Sequence, residues 1–220
     1  MIKQVITAAT LFFSVMSAHG DVNDAVVELK KLLTPMTSVS ANFQQQLYAA
    51  DGYLIQDSQG RMEVSAPGKL RWLLDSPMEQ WLISDGVTLW LYDPDLEQVI
   101  IRPFDPDISA TPALLLTGSV GALSDAYQVS VETRINAEAQ DRKEAAGKLR
   151  SFTLTPYNKQ TLYDYLTFDF DGDTPTGITI VDSLGQRTEI KFSDVILNAE
   201  IDPELFSFQP PPGVDVIRDE

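Results

Sequence analysis

Between Lys69 and Arg102 the chain turns back on itself every few residues. Lys69 to Asp75, Glu79 to Ser84, Val87 to Asp93 and Glu97 to Arg102 are short runs rich in Leu, Ile, Val, Trp and Tyr. The breaks between them are Ser76-Pro77, Ser84-Asp85-Gly86 and Asp93-Pro94-Asp95. Asp-Gly is a strong hairpin signal, because the tight turn needs positive φ at its centre. Breaks this short leave no chain for a crossover, so these strands must pair antiparallel, as a meander. The same pattern returns at Tyr127 to Thr133, Leu149 to Thr155, Leu162 to Phe170, Thr176 to Asp182 and Gln186 to Val195, with turns at Asp171-Gly172-Asp173 and Ser183-Leu184-Gly185.

Several of these runs are apolar on both faces. Leu70, Trp72 and Leu74 share one face of their run, but Trp81 and Ile83 oppose Leu82, and Trp90 and Tyr92 oppose Leu89 and Leu91. A sheet washed by water on one side does not read this way. Each face must meet a second layer or a bound apolar ligand. One layer is an amphipathic helix predicted from Val22, Val26, Leu29, Leu32, Leu33 and Met36, capped by Asp21 or Asn23, with Lys30 and Lys31 near its end and Pro35 as its stop. A second, short helix is predicted from Ser109 to Gly118, with Pro112 near its start and Gly118 after its end. Ala137 to Gly147 is charged and Ala-rich, and reads as an exposed loop or hairpin tip. With about ten strands and two or three helices, the chain reads as α+β: one large curved antiparallel sheet with helices against one face. Its 220 residues fit a single domain, and no linker or repeat interrupts it.

The first twenty residues stand apart. Lys3 precedes a mostly apolar run from Val5 to Met16, and Ala18-His19-Gly20 puts small residues at the −3 and −1 positions of a cut after Gly20. This is the pattern of a cleaved secretory signal, residues 1–20, ahead of a domain at 21–220. The alternative, a membrane anchor, needs a longer apolar run. The sole histidine, His19, would leave with the signal, and the chain has no cysteine. A mature chain without His or Cys lacks the groups that most nucleophilic triads and zinc sites require. Its charge would pass from −16 to −17, because Lys3 goes while all 32 acidic residues stay. Such a chain is ill suited to nucleic acid, whose phosphates need Lys and Arg.

Motifs for other chemistry are weak. Asp169, Asp171 and Asp173 have the first spacings of a calcium loop, but the positions for its Gly and Glu hold Thr174 and Ile180, so a solvated turn is expected. The serine-nucleophile signatures and a Gly-rich phosphate loop are missing. No pair of carboxylates stands out, and neither metal nor cofactor is expected. Trp72, Trp81 and Trp90 fall close together and read either as core or as the wall of an apolar cavity.

Pro67-Gly68-Lys69-Leu70-Arg71-Trp72, Ser84-Asp85-Gly86-Val87-Thr88-Leu89-Trp90-Leu91-Tyr92-Asp93-Pro94-Asp95, Thr111-Pro112-Ala113-Leu114-Leu115-Leu116-Thr117-Gly118 and the closing Pro211-Pro212-Gly213-Val214 together resemble the periplasmic outer-membrane lipoprotein carrier, the LolA family. The resemblance covers the whole mature chain, from the first helix and Ser40-Ala41-Asn42-Phe43 onward. It implies an incomplete barrel whose concave face is lidded by helices, with the acyl chains of a lipoprotein held between sheet and lid. It implies a periplasmic chaperone, expected to be monomeric, that is not an enzyme. That chaperone takes acylated lipoproteins from an inner-membrane ATP-driven releasing complex and delivers them to an outer-membrane acceptor. The cavity wall expected here is Leu70, Trp72, Leu74, Leu82 and Trp90, and the lid Leu29, Leu33, Leu114, Leu115 and Leu116. One departure stands out. The family commonly has Arg before the Pro of the Pro-Gly-Lys segment, where it bonds the closed lid; here that residue is Ala66, and Leu70 replaces a usual aromatic. Arg61, Lys69 and Arg71 are nearby substitutes, although alternation sets Lys69 and Arg71 opposite Leu70 and Trp72. Burial gains ~0.8 kcal/mol per methylene, so acyl chains in water need such a cavity.

Two other classes remain in view. A lipid- or lipoprotein-sensing module of the same fold would be expected to add a domain or an anchor, and the chain as it runs to Glu220 shows neither. A carboxylate-dependent hydrolase would need two acids facing each other across a cleft. The acidic surface is expected to favour basic patches on partners, with docking weakened by salt.

Overall fold

The computed structural model describes residues 22–75, 78–104, 116, 123–135, 148–158 and 161–219. A helix, α1 (Val22–Leu33), precedes β1 (Ser38–Tyr48), β2 (Leu54–Ser65), β3 (Lys69–Leu74), β4 (Gln80–Asp85), β5 (Thr88–Asp93) and β6 (Gln98–Pro103). A single turn of helix, α2 (Leu123–Ala126), leads into β7 (Tyr127–Ile135), β8 (Lys148–Pro156), β9 (Tyr163–Asp171), β10 (Thr174–Asp182) and β11 (Arg187–Leu197). A 3-10 turn (Pro203–Phe206) and β12 (Asp215–Arg218) close the chain.

All twelve strands form one sheet in the order β12-β6-β5-β4-β3-β2-β1-β11-β10-β9-β8-β7. Two meanders, β2 to β6 and β7 to β11, are joined through β1, which pairs with β2 on one side and β11 on the other. The sheet is curved and unclosed, since β12 and β7 are its two edges. Bulges in the two partners of β1 fall at the junction of the two wings: Asp194 and Val195 of β11 stand opposite the single Ala41, and Ile55 of β2 is extra between the partners of Leu47 and Tyr48. A bulge bends its strand and increases the twist there. Every pair of neighbours is antiparallel except β12 with β6, which is parallel.

The nine strands expected from alternation are present, with ends shifted by a residue or two. Three more were hidden. β1 and β2 are long but read as polar, because Gln44, Gln46, Asp57 and Gln59 occupy their outward positions, where Gln44 and Gln46 both donate to Asp57. β12 is short and exposed along its length. The first helix stops three residues short of the predicted Met36, where Pro35 cannot continue it, yet Met36 stays buried. The short helix predicted at Ser109 to Gly118 and the loop at Ala137 to Gly147 lie outside the described residues, Leu116 excepted.

Helix α1 lies on one face of the sheet, called here the inner face. Its Ala25, Val26, Leu29, Leu32 and Leu33 join a core with Val39, Phe43, Met62, Val64, Leu70, Phe152, Leu154, Leu166, Phe168 and Ile178. Val27, on the opposite side of the helix, is exposed.

The other face is covered on the β3 to β6 wing by the C-terminal segment. Phe206 is fully buried there, its ring 5.9 Å from the Lys69 ammonium, and Phe208 packs against Tyr92 and edge-on to Trp81. These residues answer the two-faced apolar pattern. The outer layer on this wing is a 3-10 turn and an irregular tail rather than a helix.

Candidate functional site

Strand register decides which predicted wall residues stand together. Trp72 pairs with Leu82, and Leu82 with Leu91, so all three point to the inner face. Leu70 and Leu74 share that face with Trp72 by alternation. Leu70 is fully buried, Trp72 and Leu74 nearly so, and Leu82 is partly buried against the same core. Trp90 pairs with Ile83 and Ile101, which puts it on the outer face, away from the other four. Trp81 is also outer: its indole donates to Glu79 and its ring meets Tyr92. The three tryptophans therefore split, one to the inner face and two to the outer.

Trp72 owes its position to a glycine. The Phe43 ring stacks on Trp72 with centroids 4.0 Å apart, and it lies over Gly60 in the neighbouring strand. A Cβ on Gly60 would fall 2.6 Å from the Phe43 ring and 2.0 Å from the Leu73 carbonyl oxygen. Only glycine lets this aromatic pair sit flat on the inner face. Periodicity alone did not single out Phe43 or Gly60.

From the helix side, Leu29 and Leu33 are both fully buried on α1. Leu116 is fully buried in the same core, while Leu114 and Leu115 lie outside the described residues. The inner face thus presents an apolar wall with an amphipathic helix seated on it.

What seats the helix is partly electrostatic. Glu28 of α1 accepts from Lys148 at 3.1 Å and from Arg150 at 3.2 Å, both on β8. Arg150 is paired in register with Phe170, which places it on the inner face beside the helix. Its other amine reaches the Gly172 carbonyl and the Asp173 carboxylate. Partial burial pushes the Glu28 carboxyl up, but hydrogen bonds and charge from Lys148 and Arg150 outweigh it, and the group rests below the usual glutamate range. The three nearby cations considered as latches are elsewhere. Arg71 pairs with Glu63 at 3.0 Å on the outer face, Lys69 sits by Phe206, and Arg61 is exposed. Ala66 is exposed as well.

Two clefts, of about 400 and 520 Å³, open on the outer face along a row of paired polar positions that includes Ser151, Asp169, Lys191 and Gln44. In the first, Asp169 accepts from Ser151, and burial raises its carboxyl above the usual range despite that bond and the Arg134 charge. Glu132 and Glu189 line the same cleft. Among the described residues no group of three metal-ligating side chains occurs, and no helix is long and apolar enough to cross a membrane.

Comparison with known proteins adds a family. The model for "Outer membrane lipoprotein carrier protein LolA" matches residues 34–209. A curated outer-membrane lipoprotein carrier protein of Chromohalobacter salexigens is 42% identical over 191 residues, covering 87% of this chain and 85% of its own. One from Pseudomonas aeruginosa is 37% identical over 211 residues, covering 96% of each chain. In fold, an uncharacterized conserved protein from Thermus thermophilus superposes with a TM-score of 0.54 at 12% identity, over 90% of this chain and all of the other.

Proposed function

The chain belongs to the outer-membrane lipoprotein carrier family, and we propose on that footing that it is a periplasmic chaperone that holds the acyl chains of lipoproteins on its inner face. The acyl site is the space between α1 and the wall of Leu70, Trp72, Leu74 and Leu82, with the Phe43 ring completing that wall. Helix α1 acts as the lid: Leu29 and Leu33 occupy the wall in the cargo-free form and acyl methylenes replace them. Cargo comes from an inner-membrane ATP-driven releasing complex and goes to an outer-membrane acceptor. The carrier travels as a monomer and catalyses no covalent step. Residues 1–20 direct export and are removed.

The observation that carries this reading is that Leu29 and Leu33 of α1 are buried in one apolar cluster with Leu70, Trp72 and Leu74 of the sheet. Apolar chains gain the same burial from the wall that α1 gains. The test is detergent dilution of a triacylated lipoprotein in the presence of the mature protein, followed by sizing and native mass spectrometry. A soluble one-to-one complex, lost in Leu70→Glu or Trp72→Glu chains that still fold by circular dichroism, is expected. Aggregation of the lipoprotein as though alone would end the carrier reading and favour a sensing role.

A further inference from the structure

The two ends of the sheet are built differently. At the end where β1, β3, β5, β8 and β10 finish, each of the five connections presents an exposed large apolar side chain. They are Tyr53, Met78, Leu96, Leu184 and the pair Tyr157 and Leu162, all more than half exposed. Turn tips are ordinarily Gly, Pro, Asn, Asp or Ser. Three of these turns hold their apolar residue outward by the same device. The Asp51 carboxylate accepts from the Tyr53 amide, Asp93 from Leu96, and Asp182 from Leu184, at 3.1, 3.1 and 2.9 Å. At the opposite end, the described turns carry Ala66, Pro67, Gly86, Gly172 and Asp173, and Val87 is the single large apolar tip.

The apolar tips belong to consecutive hairpins, so they follow the curved sheet edge as one rim rather than scatter. Alternate strands set adjacent tips roughly 10 Å apart. Two of the tips approach closely, since a Cβ added at Gly185 would lie 3.2 Å from the Ala50 side chain. The charged residues among the described turn residues are Asp51, Asp75, Glu79, Asp95 and Glu97, and the cation at this end, Arg187 at the start of β11, lies over the Tyr48 ring and pairs with Glu189. A surface that is apolar at its points and acidic between them is repelled by anionic lipid and matched by a protein face with an apolar patch ringed by Lys and Arg.

Resting on the carrier reading, we infer that this rim is the surface that docks the carrier onto a basic-rimmed partner protein during loading or delivery. The contact is made by Tyr53, Leu96 and Leu184, and the acids between them set orientation.

The probes are the acyl-free soluble domain of the outer-membrane acceptor and the periplasmic domain of the releasing complex, each purified and immobilised. The analyte is the mature carrier, as wild type, as the Tyr53→Ser, Leu96→Ser, Leu184→Ser triple variant, as Asp95→Lys with Glu97→Lys, and as Val87→Ser. Binding to at least one probe is expected to weaken tenfold or more in both rim variants, to weaken with added salt, and to be unchanged in Val87→Ser. Soluble complex formation with a triacylated lipoprotein is expected to be unchanged in every variant, so a wild type that fails to load cargo sinks the carrier reading separately. Wild-type affinity retained in the triple variant, or no binding to either probe, overturns the rim. So does binding that is insensitive to salt and transferred to phosphatidylethanolamine–phosphatidylglycerol vesicles, which would make it a membrane contact.

Discussion

Gly60 and Asp169 are single residues with consequences well beyond their size. At Gly60 an added methyl meets a backbone oxygen, which cannot swing aside as a side-chain end can. Gly60→Ala therefore forces β2 away from β3 or displaces the Phe43 ring from Trp72. A cost of about 1–3 kcal/mol is expected, as for overpacked cores, read as a lower midpoint in urea together with altered Trp emission. A midpoint within error of the wild type would show that the aromatic stack tolerates the shift. Asp169 presents the opposite case, a residue whose replacement helps. Its carboxyl is raised by burial, so the folded chain binds its proton more tightly than the unfolded chain does. Stability from this group is present below the ordinary aspartate range and is lost as pH rises through the raised value. Asp169→Asn keeps an acceptor for Ser151 and removes the ionisation. Its melting temperature at neutral pH should exceed the wild type's, with the gain shrinking as pH falls toward the ordinary aspartate range. A gain that persisted unchanged in acid would mean that burial of Asp169 has no part in it. Trp90 carries the lesson about legibility at this scale. Alternation within its strand was readable, and so was its face: four residues separate the paired Ser84 and Leu89. An even loop sets Leu82 opposite an odd-numbered residue, so Trp90 must share a face with Ile83. Register carries that information, and residue type does not.

The elements differ in how plainly the sequence declares them. Hairpins bounded by Asp-Gly or Asp-Pro are legible because turn chemistry and apolar alternation agree. β1 and β2 are not, because one face of each is paired Gln and Asp and their stability comes from neighbours on both sides. The latch on α1 was illegible for another reason: Glu28 and Arg150 are far apart in the chain and meet only once the sheet has folded. That latch is the element's adjustable part. With its folded pKa below the unfolded value, Glu28 contributes stability above the ordinary glutamate range and loses it as pH falls through the lowered value. Glu28→Gln should weaken helix docking by about 1–2 kcal/mol at neutral pH. It should also flatten the acid limb of any pH dependence in lipoprotein uptake, measured by the rate of complex formation on detergent dilution. Equal uptake rates in the two proteins across that range would mean that the apolar face alone holds α1.

For the whole molecule, the question is whether cargo can displace its own lid. Val26, Leu29, Leu32, Leu33 and Met36 are buried on or just after α1. At about 2 kcal/mol for each side chain returned to water, lifting the helix fully costs on the order of 10 kcal/mol. One acyl chain of about fifteen methylenes gains roughly 12 kcal/mol on the same scale, so a single chain barely repays complete displacement, while two or three exceed it comfortably. A monoacylated molecule should thus be a poor cargo and a triacylated one a good one, through burial alone. The sheet, held by eleven strand pairings, has no comparable alternative partner and should stay intact. Hydrogen exchange on loaded and empty carrier tests this division. Amides of residues 24–33 should lose protection on loading, while those of β1, β2 and β11 keep theirs, and a monoacylated lipopeptide should produce neither change at matched concentration. Protection of α1 retained in the loaded complex would show that acyl chains enter beside the helix, and would move the site along the inner face toward Leu82, Leu91 and Ile100.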